Sequence, residues 1–219
     1  MTCKTPDVSN LETAEEFHAR VAAATDAEGR LPVAIELMPG WDIFPFELDG
    51  LRIKPLEPLA DSEPPREGED PADCFCRQPL TDKQALRVAW SNERWTLKLL
   101  AMRLPVALML VPREHYDLAD LPDDLASEMG RLTVAITAAV EELPSVGRCH
   151  GARIGDGGAH LHPFFFGRPA RMPQLRGSTL LDWEENLPEV PEEVRRANGG
   201  HVGRRLVERF GGDGPAWDA

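Results

Sequence analysis

Long apolar runs are scarce in this sequence, and so are cysteine, tyrosine and basic charge. The most apolar stretch, from Leu97 to Val111, is broken by Lys98, Arg103 and Pro105 and falls short of the roughly 20 residues that a membrane-spanning helix needs. No membrane partner is expected. Four cysteines, Cys3, Cys74, Cys76 and Cys149, in 219 residues are too few for a disulfide framework, and the first residues lack a charged-then-apolar leader pattern. A cytoplasmic location follows as the expectation. Basic residues number 24 against 37 acidic ones, a net charge of -13, so the chain repels nucleic-acid polymers and anionic membrane surfaces. A small-molecule partner is the better expectation.

What the sequence has in quantity is proline (20) and glycine (18), which implies long loops around an otherwise ordinary globular composition. Its length suits one domain with an appendage, or two small domains. Thr13-Ala14-Glu15-Glu16 is a capping box that opens a short helix to about Ala24. From Trp41 to Leu56 apolar and polar residues alternate about Asp49-Gly50, the pattern of a small β-hairpin. Residues 57–73 are dense in proline and acid and predict a linker or wrapping loop. The expected division is therefore 1–73, an N-terminal extension and linker, and 74–219, the main domain.

Within that domain Leu86–Trp90, Arg94–Leu100 and Val106–Val111 are short β-rich runs, consistent with an antiparallel meander. Leu121, Leu125, Met129, Leu132, Ile136, Val140 and Leu143 recur at helical spacing, with Asp120, Asp123 and Asp124 at the favourable N-terminal end. One long helix is expected there, ending at Pro144. Arg148–Ile154 and Ala159–Phe166 predict two further strands around Gly155-Asp156-Gly157-Gly158. The fold class is α+β: an antiparallel sheet carrying one long helix, preceded by a small helix and hairpin.

The chemistry centres on His160-Leu161-His162. Along an extended strand alternate side chains share a face, which would set His160, His162, Phe164 and Phe166 on one side. By itself a His-x-His pair is a metal-ligand pair, a catalytic pair or an idle surface feature. Arg168, Arg171 and Arg176 follow within a few residues and are candidate phosphate clamps, with surface ion pairing as the bland alternative. Trp90, Trp95 and Trp183 are read as core or interface residues, and Cys149-His150 as structural.

The context resembles the histidine triad (HIT) family. A strand at Leu108-Met109-Leu110-Val111 runs into Pro112-Arg113-Glu114-His115; Asp117-Leu118-Ala119-Asp120-Leu121 opens the long helix; and Gly155-Asp156-Gly157-Gly158-Ala159-His160-Leu161-His162 resembles the family's glycine-led approach to its His-x-His-x-His motif. The resemblance spans some 80 residues, from Val88 to Arg168. It implies a HIT-like domain in which His162 attacks the α-phosphorus of a nucleotide, while the His160 carbonyl holds the other ring nitrogen. It also implies Gly158 as a substrate contact and a homodimer as the assembly; of the three arginines, Arg168, the closest in sequence to the histidine strand, is the one expected at the substrate phosphate. Phe164 departs from the third histidine, a position that the galactose-1-phosphate uridylyltransferase branch fills with glutamine, and Ala152 departs from a common asparagine. Related proteins hold zinc with a cysteine pair, a histidine after the Val-Pro strand and the first motif histidine; here that set is Cys74, Cys76, His115 and His160, with Cys-x-Cys in place of the usual Cys-x-x-Cys. The implied function is nucleotide hydrolysis or nucleotidyl transfer on a small nucleotide, with a structural zinc. One rival is a degenerate nucleotide-binding or regulatory protein. Another is a metal-dependent enzyme that uses His160 and His162 as ligands and water as nucleophile.

Overall fold

The computed structural model describes residues 11–27, 29–31, 64–78, 81–177 and 180–218. The hairpin expected at 41–56 and the first part of the 57–73 stretch lie outside the described residues. Helix α1 (Ala14–Ala22) starts at the expected capping box: Thr13 accepts from the Glu16 N–H at 3.1 Å, and the Glu16 carboxylate accepts from the Thr13 N–H at 2.8 Å. A short helix α2 (Asp82–Ala85) leads into strands β1 (Val88–Ser91), β2 (Trp95–Leu99) and β3 (Ala107–Pro112). Helix α3 (Asp123–Glu141), strands β4 (Val146–Ala152) and β5 (Phe164–Pro169), a short helix α4 (Leu180–Glu184) and helix α5 (Glu192–Phe210) complete the order.

The five strands form one antiparallel sheet in the order β1-β2-β3-β5-β4, so the α+β expectation is met. The β1–β2 turn is made by Asn92, whose side-chain oxygen accepts from the backbone N–H groups of Arg94 (2.9 Å) and Trp95 (2.7 Å) and so replaces backbone pairing at the corner. Beyond α5 the chain returns along the outer edge of β1: Ser91 and Asp213 exchange backbone hydrogen bonds at 3.0 and 2.8 Å, and Ala216 N–H donates to Val88 O at 2.9 Å.

The two faces of the sheet are packed differently. Trp95, Leu97, Leu99, Leu108, Leu110 and Phe165 alternate onto one face, where they meet Leu125, Leu132, Ile136 and Val140 of α3 and Val202 and Leu206 of α5. The apolar stripe read along α3 is the buried stripe. Trp90 and Trp95 are fully buried core residues here, as their positions on strands suggest. On the other face Ala107 and Phe166 join Phe17 and Val21 of α1, together with Leu104, Met172, Leu175, Leu180 and Leu187. The N-terminal helix is thus anchored in an apolar cluster that it shares with the sheet.

Two expectations change. The strand read from Ala159 begins its ladder only at Phe164, because Ala159 and Leu161 spend their N–H groups elsewhere, on Glu67 O (3.0 Å) and Tyr116 O (2.7 Å), and Pro163 has no N–H to give. The second is α5, a nineteen-residue helix, so the domain carries two long helices where one is expected. Its buried face includes Asn198, Gly199, Gly200, His201 and Gly203, which provides no apolar stripe to detect. The glycines let its backbone settle against the sheet: a Cβ on Gly203 would lie 2.0 Å from Ala89 O, and one on Gly199 2.7 Å from Leu99 Cδ1.

Candidate active site

Residues 159–163 carry both motif histidines across the face opposite α3 and α5. His160 is buried and His162 half-buried. The Pro112 carbonyl lies 2.9 Å from His160 Nε2, and the His160 carbonyl is in hydrogen-bond contact with His162 Nδ1. A carbonyl oxygen can only accept, so each contact fixes a tautomer. His160 carries its proton on Nε2 and presents Nδ1 as a lone pair; His162 carries its proton on Nδ1 and presents Nε2. The His160 carbonyl thus contacts the ring of His162 through the backbone.

His162 lines a cavity of about 300 Å³ together with Glu67, Phe75, Met109, Gly157, Gly158 and His160. Gly158 lies against the imidazole: a Cβ there would come within 3.3 Å of His162 Cε1, so a larger residue would press on the ring. Phe164 meets the His162 ring edge to face at 5.4 Å and stacks on Phe166 at 5.7 Å. The alternation along 162–166 is therefore real, and it gives the imidazole an apolar support at the place where a third histidine was looked for.

The second cluster lies beside the first. Cys74, Cys76, His115 and His160 bring one donor atom each to within 4.8 Å of one another, although they come from separate stretches of the chain. Cys74 Sγ is 3.4 Å from His160 Nδ1, the nitrogen left unprotonated by the Pro112 contact, and Cys76 Sγ is 3.9 Å from His115 Nδ1. Burial pushes the His160 pKa below the ordinary histidine value, against the opposing contact with Pro112. Burial and the neighbouring Cys74 thiol push the Cys76 thiol up to about 11. Two thiols and two imidazoles suit a tetrahedral divalent ion, whose donors at about 2.0–2.3 Å from the metal stand roughly 3.3–3.8 Å apart.

Segment 64–78 crosses the site as a strap. Glu67 bridges the glycine loop, its N–H on Gly157 O (2.9 Å) and its carbonyl on Ala159 N–H (3.0 Å). Arg66 pairs with Asp117 at 2.7 Å, and Arg153 pairs with the same carboxylate. Burial opposes ionisation of Asp117, but the Arg66 contact, the Leu118 N–H and Arg153 together hold its pKa down to about 2. Phe75 covers Lys98, whose ammonium is 4.6 Å from the ring centroid, and packs on His160 at 4.7 Å. Lys98, Phe75, Glu67 and Met109 were not singled out in the sequence. Lys98 and Met109 are cross-strand partners on β2 and β3, a register that only the pairing reveals.

Arg168 is placed elsewhere. It lies six residues along the chain from His162, roughly 20 Å at about 3.3 Å per residue, and it does not line the His162 cavity. Its guanidinium donates to the Pro169 carbonyl at 2.8 Å and lies over Gly147. Nearness in sequence does not become nearness in space along an extended strand. Arg171 pairs with Glu15 of α1, and Arg176 donates to Pro173 O at 2.9 Å. Ala152 pairs with Phe164 across β4 and β5. Half-buried Cys149 faces Glu141 of α3 through its backbone N–H (3.1 Å).

No family model matches the sequence, and no curated protein matches it either. Among solved structures the chain is similar to histidine triad proteins. A histidine triad protein from Marinobacter aquaeolei VT8 shares 18% identity over 59% of this chain and 96% of its own, with a TM-score of 0.45. One from Sinorhizobium meliloti 1021 shares 16% over 58% and 96%, also at 0.45. A Zn-bound histidine triad family protein from Mycobacterium smegmatis shares 20% over 55% and 84%, at 0.40. Residues 88–168 contain all five strands except the last residue of β5, together with α3. No described helix is long and apolar enough to cross a membrane.

Proposed function

We propose that the chain is a HIT-like enzyme that binds a small nucleotide in the His162 cavity and hydrolyses or transfers it through a nucleotidyl-histidine intermediate. The observation that carries this reading is the tautomer of His162. With Nδ1–H held by the His160 carbonyl, Nε2 has its lone pair available without a separate base. The nitrogen forms a bond to the α-phosphorus, the bond from phosphorus to the leaving oxygen breaks, and water then cleaves the phosphorus–nitrogen bond or an acceptor takes the nucleotidyl group. The backbone N–H groups of the glycine loop are the candidate donors to the phosphate, which is how Gly158 would contact substrate. Phe164 cannot donate a proton, so pyrophosphate or a sugar phosphate should leave better than an amine. Quenched enzyme mixed with a substrate in turnover is expected to carry a nucleotidyl mass on the peptide that contains His162. Turnover with no adduct on any histidine would favour water as nucleophile.

The four-donor cluster supports a structural zinc at Cys74, Cys76, His115 and His160. Metal uptake would require both thiols to lose their protons and would lock the lone pair of His160 Nδ1 in place. Protein purified without chelator is expected to hold close to one zinc per chain by elemental analysis; less than about 0.2 per chain would reject the site. Arg168→Ala, by contrast, should change nucleotide Kd less than about twofold, since its guanidinium is engaged at the far end of β5. A loss of tenfold or more by titration calorimetry would restore it to the binding site. We take the working assembly to be a cytoplasmic homodimer, for which β4, at one end of the sheet order, offers an open edge.

A further inference from the structure

The strap 64–78 has little to hold it down by apolar burial. Of its fifteen described residues Gly68 and Cys74 alone are buried, and Gly68 sits at positive φ (+72°) with a would-be Cβ 3.2 Å from Cys74 Cβ, so the two form one tight corner. Its attachments fall into two groups. At the start are the Arg66–Asp117 ion pair and the Glu67 bridge to residues 157–159. At the end are the Cys74 and Cys76 thiols facing His160 and His115. Between them the strap supplies Glu67 and Phe75 to the wall of the His162 cavity, and Phe75 rests on the ring of His160. A surface segment held by a few polar contacts and little apolar burial opens readily, whereas a metal ion binding four side chains ties folding of the segment to its own affinity.

We propose that segment Arg66–Arg77 is a lid over the His162 cavity, latched by a divalent metal ion between Cys74 and Cys76 on the lid and His115 and His160 on the body, so that metal loading sets access to the nucleophile. The metal is thereby more than a structural staple. Two of its ligands belong to the moving part and two to the fixed part, and one of the fixed pair is the residue whose carbonyl orients His162. Release of the ion frees the lid's Cys corner and removes Phe75 from His160 and from Lys98, leaving the lid on its Arg66 and Glu67 contacts. The inference rests on the reading of the His162 cavity as the substrate site, but its test does not require a nucleotide.

Full-length protein is compared zinc-loaded, chelator-stripped and zinc-reloaded, together with Cys76→Ser. Hydrogen exchange read by mass spectrometry is expected to speed up about tenfold or more in peptides spanning 66–77 on stripping, to recover on reloading, and to stay fast in Cys76→Ser, while α3 and α5 are unchanged. In the same samples diethyl pyrocarbonate, which acylates neutral imidazole, should modify His162 about tenfold faster in the stripped and Cys76→Ser forms, with the site assigned by fragment ions. Equal exchange of 66–77 with and without zinc overturns the latch. Faster exchange with unchanged His162 acylation overturns the lid. Acylation that follows zinc in a protein that binds no nucleotide upholds the latched lid and rejects the nucleotide reading instead.

Discussion

His162→Ala and His162→Gly are expected to lose turnover by at least about a thousandfold while nucleotide Kd stays within a few-fold of wild type. Among the described residues, His162 is the imidazole of the cavity whose Nε2 the tautomer argument leaves with its lone pair: His160 is turned inwards, its Nε2 spent on Pro112 and its Nδ1 facing Cys74. Loss of the side chain removes the bond-forming atom but none of the backbone N–H groups of the glycine loop, so binding and chemistry should separate. Single-turnover kinetics with a nucleotide bearing a good leaving group would measure the first, and titration calorimetry the second. Full activity in His162→Ala would remove the nucleophile from this account. Activity retained there but abolished on stripping the metal would transfer the chemistry to a metal-bound water at the neighbouring cluster.

Gly203→Val should destabilise the fold more than any single change at the site, and Gly203→Ala should already cost about 3 kcal/mol or more. The added Cβ would stand 2.0 Å from the Ala89 carbonyl oxygen, and that obstacle is backbone on strand β1, which cannot rotate aside as a side chain would. To make room, α5 must lift from β1 and expose Val202 and Leu206, both fully buried. The internal control is Gly130, in α3, where a Cβ would meet nothing within 4 Å. Gly130→Ala should stabilise the protein by about 0.5–1 kcal/mol from helix propensity. Urea unfolding of the two variants side by side should give shifts of opposite sign, and a Gly203→Ala midpoint equal to wild type would mean that α5 is not seated on β1 as described.

The contrast between α3 and α5 explains how far the sequence could be read. Helix α3 buries leucine, isoleucine and valine at regular spacing, so periodicity alone locates it. Helix α5 buries asparagine, histidine and three glycines beside Val202 and Leu206, and it gains much of its packing from close backbone approach, which a pattern search does not register. Strands β1, β2, β3 and β5 were legible to within a few residues because each has a buried run, whereas β4 buries Val146 alone; the exception is at Ala159 and Leu161, which give their N–H groups to Glu67 and Tyr116 and stay out of the ladder. At the site, the donors Cys74, Cys76, His115 and His160 could be grouped only through the family resemblance, since contacts separated by 39 and 86 positions have no local signature. The strap was seen as proline and acid with no core to make; that it runs back across the histidines depends on Glu67 pairing with Gly157 and Ala159. Arg168 shows the opposite error, in which a short interval of sequence was taken for a short distance.

The two faces of the sheet carry different loads. One side, under α3 and α5, holds the larger apolar cluster; the other holds a second cluster shared with α1 and, apart from it, the imidazoles, the glycine loop and the strap. Substitutions at the imidazoles, the glycine loop and the strap touch few of the side chains of either cluster. Phe164, beside the cavity, joins Phe166 in a ring stack and so adds packing of its own. Change around the cavity is therefore open to the chain at small cost in stability, while change under α3 and α5 is not.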